Sequence, residues 1–111
     1  MPYGVRVCTG LEEGEVYPLF ENREITIGRS PTNNIFIKDK NVSRVHCQIV
    51  VTEKGCVLTD LQSTNGTFVN GERITERLLK VGDEIRVGTT LLRLEELGVE
   101  GGAITDTAIL E

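Results

Sequence analysis

Two Asn-Gly pairs stand five residues apart in the stretch DLQSTNGTFVNG, at Asn65-Gly66 and Asn70-Gly71. Asn-Gly is the strongest short signal for a tight turn between two strands. Only Thr67, Phe68 and Val69 are left as strand between the two turns. Such spacing requires dense β-architecture, or one turn that exists to present its groups. The rest of the chain agrees with β. The segments YGVRVCT, EVYPLF, REITIG, NIFIK, VHCQIVVTE, GCVLTDL, GTFVN, EIRVG and TLLRLEE are short and rich in Val, Ile, Thr or Phe. Gly, Asn, Asp or Pro bounds each of them. No stretch of ten residues carries a helical stripe. The pattern predicts an all-β fold, an antiparallel β-sandwich or barrel.

A chain of 111 residues is long enough for one core and too short for two. No apolar run approaches the ~20 residues that span a bilayer, and MPYGVRV lacks the basic segment and apolar block of a secretion signal. No membrane partner is expected. Cys8, Cys47 and Cys56 form an odd, sparse set without C-x-x-C spacing. That fits neither a disulfide framework nor a zinc site, so the three read as small buried apolar residues in a reducing compartment. The expected location is cytoplasmic, or nuclear in a eukaryote, and no metal or cofactor is expected.

The net charge of −5 is unevenly placed. Residues 1–94 hold 12 basic and 12 acidic side chains, and the imbalance lies in residues 95–111. Within the neutral body, Gly28 to His46 carries Arg29, Lys38, Lys40 and Arg44 against Asp39 alone. An acidic protein can therefore hold a local anion site. Three loop segments supply the chemistry for one. IGRSPTNN places Arg29 directly after Gly28, whose lack of a Cβ opens backbone conformations closed to other residues. KNVSRVHC brings a hydroxyl at Ser43, a cation at Arg44 and an imidazole at His46. STNG, from Ser63 to Gly66, is a turn dense in hydrogen-bonding groups. Hydroxyls, amides, backbone N–H groups and guanidinium together suit a phosphate.

In this order and spacing the motifs resemble the forkhead-associated (FHA) domain family. The residues that carry the resemblance are Gly28-Arg29, Ser43-Arg44-Val45-His46, DLQSTNGTFVNG and LLKVGDEIRVG, within roughly residues 5 to 94. The resemblance implies an eleven-stranded antiparallel β-sandwich of two sheets, with binding loops at one end and the termini near the other. It also implies a non-enzymatic module that recognises phosphothreonine in extended peptides, downstream of a Ser/Thr kinase. Carried over, Arg29 pairs with the phosphate, Ser43 donates its hydroxyl to it, and Arg44 adds a second cation. Thr64 lines the pocket, and Asn65 hydrogen-bonds the peptide backbone. Gly28, His46 and Gly66 support the site. Asn70-Gly71 is then a plain hairpin turn, and Asn65-Gly66 the turn that presents a ligand group.

Two other classes fit less well. His46-Cys47 resembles the start of a cysteine phosphatase's phosphate loop, but QIVVT follows and Glu53 stands where that loop needs Arg. A barrel for single-stranded nucleic acid needs stacking aromatics and a basic groove. This chain has only Tyr3, Tyr17, Phe20, Phe36 and Phe68, no Trp, and a neutral body. The domain is read as residues 1–95 and an acidic tail or linker as 96–111. Thr105 and Thr107 flank Asp106 in that tail. Phosphorylated, either would be a ligand for a second copy of the chain.

Overall fold

Alternation decides which face each segment buries. In a computed structural model of the protein, which describes residues 2–97, the strands are β1 (Tyr3–Val7), β2 (Val16–Leu19), β3 (Glu24–Gly28), β4 (Ile35–Phe36), β5 (Cys47–Thr52) and β6 (Gly55–Asp60). They continue with β7 (Thr67–Val69), β8 (Glu72–Ile74), β9 (Glu76–Leu78), β10 (Glu84–Val87) and β11 (Thr90–Glu96). One sheet has the order β2-β1-β11-β10-β7-β8 and the other β4-β3-β5-β6-β9. Val5 and Val7 of β1, Ile85 and Val87 of β10, and Leu92 of β11 meet Ile27, Ile49 and Leu58 of the facing sheet in a fully buried core. Burying each such side chain contributes about 1.5–3 kcal/mol.

The sandwich of eleven strands in two sheets agrees with expectation, with one correction to its strand directions. β3 and β4 pair in parallel, Ile27 with Ile35 and Gly28 with Phe36. A parallel pair normally needs a long crossover. Here β4 starts beside the last residues of β3 and pairs over two residues only, so the loop 29–34 suffices.

The Asn70-Gly71 turn joins β7 to β8, with φ of 51° and 88°. Positive φ at both positions marks the turn type whose twist suits a two-residue hairpin. Asn70 is further held by Asp83, whose carboxylate accepts from its Nδ2 at 3.0 Å, and by the Glu84 N–H, which donates to its Oδ1 at 3.0 Å. Asn70→Ala is therefore expected to cost about 1–2 kcal/mol, because alanine resists the left-handed region. Thermal unfolding checks this.

β11 extends to Glu96, one residue past the expected domain boundary at 95. Tyr3 pairs with Glu96 at one end of β1 and β11, while the turn at Gly88-Thr89 closes β10 onto β11 at the other. The remainder of the acidic tail, with Thr105 and Thr107, lies outside the described residues.

Candidate functional site

Gly28 ends β3 where two loops touch. A Cβ there would run into the Arg44 carbonyl oxygen and come within 2.8 Å of Asn33 Nδ2. Gly28 does not lie in the left-handed region. The glycine is thus required by close approach of backbone, and the expected conformational reason is corrected. Two bonds zip the loops together: the Arg29 N–H donates to the Ser43 carbonyl at 2.9 Å and the Ser30 N–H to the Arg44 carbonyl at 3.1 Å. Buried Asn33 adds bonds from Nδ2 to the Ser30 and Arg44 carbonyls. Arg29 itself is exposed. Its Nε donates to the Val42 carbonyl at 3.0 Å, which orients the guanidinium and leaves its two terminal nitrogens for a ligand.

His46 is fully buried at the start of β5. Its Nδ1 accepts from the Ser43 N–H at 3.0 Å, so the proton sits on Nε2, which donates to the Gly66 carbonyl at 2.8 Å. One imidazole thereby fixes both binding loops from behind. Gly66 lies at φ 90°, and its N–H donates to Ser63 Oγ at 3.0 Å. Asp60 accepts from the hydroxyls of Ser63 and Thr67 and from the Ser63 N–H. Burial pushes the Asp60 carboxyl up, but these bonds outweigh it and hold it below the usual carboxylate range.

The front of the site hangs on Asp39. Its Oδ2 accepts from the Thr89 N–H at 2.9 Å, Thr89 Oγ1 at 2.7 Å and Thr90 Oγ1 at 3.0 Å, and its Oδ1 from the Asn41 N–H at 2.9 Å. The loop between β4 and β5 is tied in this way to the turn between β10 and β11. Partial burial raises the Asp39 carboxyl, and the bonds from Thr89, Asn41 and Thr90 more than reverse that, lowering it from 3.8 to about 2. A carboxyl lowered in the folded state contributes stability that is present above 3.8 and lost as pH falls through about 2. Between pH 5 and pH 2 the melting temperature should therefore fall more steeply for wild type than for Asp39→Asn. Parallel pH profiles of the two proteins would remove Asp39 from this role.

Between these supports lies a cleft of about 160 Å³ lined by Arg29, Lys40, Asn41, Val42, Ser43, Thr64 and Asn65. Four of the expected ligand residues, Arg29, Ser43, Thr64 and Asn65, meet there. Arg44 is exposed but does not line it. No carboxylate lines the cleft, and among the described residues Arg29, Lys40 and Arg44 join no ion pair. From sequence Lys40 counted only as one charge of the basic stretch and Asn41 not at all, because neither lies in a motif that carries the resemblance. Ser43 Oγ accepts from the Thr64 N–H at 3.0 Å, which leaves its own proton for a ligand. Asn65 Nδ2 donates to the Asn41 carbonyl at 2.8 Å, which leaves Oδ1 as its unused acceptor. The arrangement is a small anion site with directed donors. A larger hollow of about 630 Å³ near Tyr17, Phe20 and Asn34 has Arg23 and Glu24 together in its lining and no such donor set. Cys47, wholly buried, has its thiol pushed up to about 12 by burial, so it supplies no nucleophilic thiolate.

The model of the FHA domain family matches residues 25–88, which contain every lining residue of the cleft. The chain belongs to the FHA domain family. Among curated proteins, this FHA chain is similar to the oxoglutarate dehydrogenase inhibitor of Corynebacterium efficiens, 39% identical over 70 residues, which cover 63% of this chain and 49% of that protein. It is also similar to the human E3 ubiquitin-protein ligase CHFR, 40% identical over 89 residues, 76% of this chain and 13% of that protein. The chain thus spans at most about half the length of these relatives. Among solved structures, the FhaA FHA domain complexed with the intracellular domain of Rv3910 superposes with a TM-score of 0.77 at 33% identity, over 84% of this chain and 99% of that one. Mycobacterium tuberculosis EmbR in complex with a low-affinity phosphopeptide gives 0.75 at 34% identity, over 85% of this chain and 24% of that one.

Proposed function

We propose that the chain is a phosphopeptide-binding module whose cleft takes the phosphate of a phosphothreonine in an extended peptide. The observation that carries this is the donor set at Arg29, Lys40 and Ser43, all free to bind an anion and unopposed by any lining carboxylate. Arg29 offers a planar fork for two phosphate oxygens. Ser43 gives its remaining O–H, Lys40 adds a point charge, and Arg44 strengthens the positive field from outside the cleft. Thr64 forms a wall. Asn65 accepts a peptide N–H on Oδ1 while its Nδ2 stays on Asn41. A Ser/Thr kinase acting on the partner supplies the ligand and so times the interaction. The similarity to domains solved with a partner's intracellular domain and with a phosphopeptide supports this reading.

Calorimetric titration of a phosphothreonine peptide and its unphosphorylated twin tests the proposal. Only the phosphorylated peptide should bind. Its affinity should weaken from pH 7.5 to 5.5, because the phosphate's second pKa is ~6 and the dianion accepts the stronger bonds. Equal binding of both peptides would overturn it. Asn65→Ala should weaken the phosphopeptide with little change in melting temperature, the reverse of Asn70→Ala. Loss of stability without loss of affinity at Asn65 would return that turn to a purely structural part.

A further inference from the structure

A second cleft, of about 260 Å³, adjoins the phosphate site and is lined by Asn41, Asn65, Phe68, Arg86, Gly88 and Thr89. Asn41 and Asn65 line both clefts, and the hydrogen bond between them marks where the two meet. The floor comes from strand register. Arg73 pairs with Phe68, Phe68 with Arg86, and Arg86 with Leu91, a row across β8, β7, β10 and β11. The alternate residues Thr67, Val69, Ile85 and Val87 are buried inward, so the row stands on the outer face of the sheet. Arg86 lies over the Phe68 ring, its Cζ 4.5 Å from the centroid.

The guanidinium of Arg86 has no carboxylate partner among the described residues. Glu84, two residues along the same face, lies 3.9 Å from Arg93. Glu95 is engaged by Arg6 and Arg93. Asp39, held by Thr89, has both oxygens occupied by donors from Asn41, Thr89 and Thr90. An aromatic ring beneath a guanidinium attracts it and covers one side of it from water. A guanidinium held in this way and left unpaired matches a carboxylate, which it can grip with two parallel bonds. An apolar side chain seated there would strip more water from the charge and return no hydrogen bond.

We propose that this second cleft is a specificity subsite in which Arg86, braced on Phe68, selects peptides with an Asp or Glu beside the phosphothreonine. The inference rests on the phosphopeptide reading above, and deepens it by naming the chemistry of the flanking residue. A peptide laid over the Asn41–Asn65 bond places its phosphate on one side and a neighbouring carboxylate on the other. Arg73, across the ring from Arg86, extends the positive field along the sheet face.

The test is a set of phosphothreonine peptides in which each flanking position in turn carries Asp, Ala or Lys, titrated against wild type, Arg86→Lys and Arg86→Glu. Wild type should bind the Asp peptide about three- to tenfold more tightly than the Ala peptide at one flanking position, the range of an exposed to partly desolvated charge pair. Arg86→Lys should keep only part of that preference, and Arg86→Glu should invert it in favour of Lys. Phosphopeptides that bind wild type with no acidic preference, or a preference unchanged in Arg86→Glu, would overturn the subsite and leave the phosphate reading standing. A wild-type protein that binds no phosphopeptide would sink the phosphate reading, and the subsite with it.

Discussion

Arg29→Ala is expected to remove most phosphopeptide affinity, about 2–5 kcal/mol, while the protein melts near the wild-type temperature. The size follows from truncating one partner of a desolvated charge pair, which leaves the phosphate unmatched. The fold is spared because the exposed side chain makes one bond, from Nε to the Val42 carbonyl, and that carbonyl can turn to water. Ser43→Ala should cost less, about 1.5–3 kcal/mol, as a single hydrogen bond to a charged group. Isothermal titration at constant pH and salt checks both. A variant lacking Arg29 that bound within a few-fold of wild type would show that the phosphate sits elsewhere.

His46→Ala should produce the largest loss of stability at the site. The substitution leaves the Ser43 N–H and the Gly66 carbonyl without partners, at about 1–3 kcal/mol each. It also opens a hole at a fully buried position. A loss on that scale is a large part of the 5–15 kcal/mol available to a small domain. Peptide affinity should fall as well, measured where the variant is still folded, because Ser43 and the Asn65-Gly66 turn lose their shared brace. His46→Asn should recover part of the stability by restoring one of the two bonds. If His46→Ala unfolded within a few degrees of wild type, the imidazole would not be the brace described.

Much of this was legible in the chain. Short alternating runs between Gly and Asn signals gave the strands, because side-chain period and turn chemistry are local properties. Residue chemistry pointed to a phosphate at these loops, and the resemblance of their motifs, in order and spacing, to the FHA family implied Arg29, Ser43, Thr64 and Asn65 as ligand residues. What escaped depends on contacts between distant positions. Asp39 counted only as one acid among basic residues, and its use appears when Thr89, fifty residues away, donates to it. Arg86 carries no signal of its own within EIRVG, and its place over Phe68 appears only with the register of β7 and β10. Gly28 was read as a conformational need, whereas a neighbouring carbonyl excludes its Cβ. The parallel pairing of β4 had no local signal, since two residues carry no direction of their own.

Asp39 to Thr89 ties a loop of the five-stranded sheet to a turn of the six-stranded one, while Asn65 to Asn41 and His46 to Gly66 tie the same loop to the β6–β7 connection between the sheets. The cleft thus needs both sheets in place, although its lining comes from the loops of one and from that connection. A partly unfolded chain therefore has nothing to offer a ligand, and occupancy protects the whole domain rather than a corner of it. At a free ligand concentration a hundredfold above Kd that protection amounts to about 2.7 kcal/mol. In a cell, degradation that draws on the open state would be slowed about a hundredfold while the phosphorylated partner is abundant. On the proposed function, a kinase that phosphorylates the partner would set not only whether the domain is engaged but how long each copy of it survives.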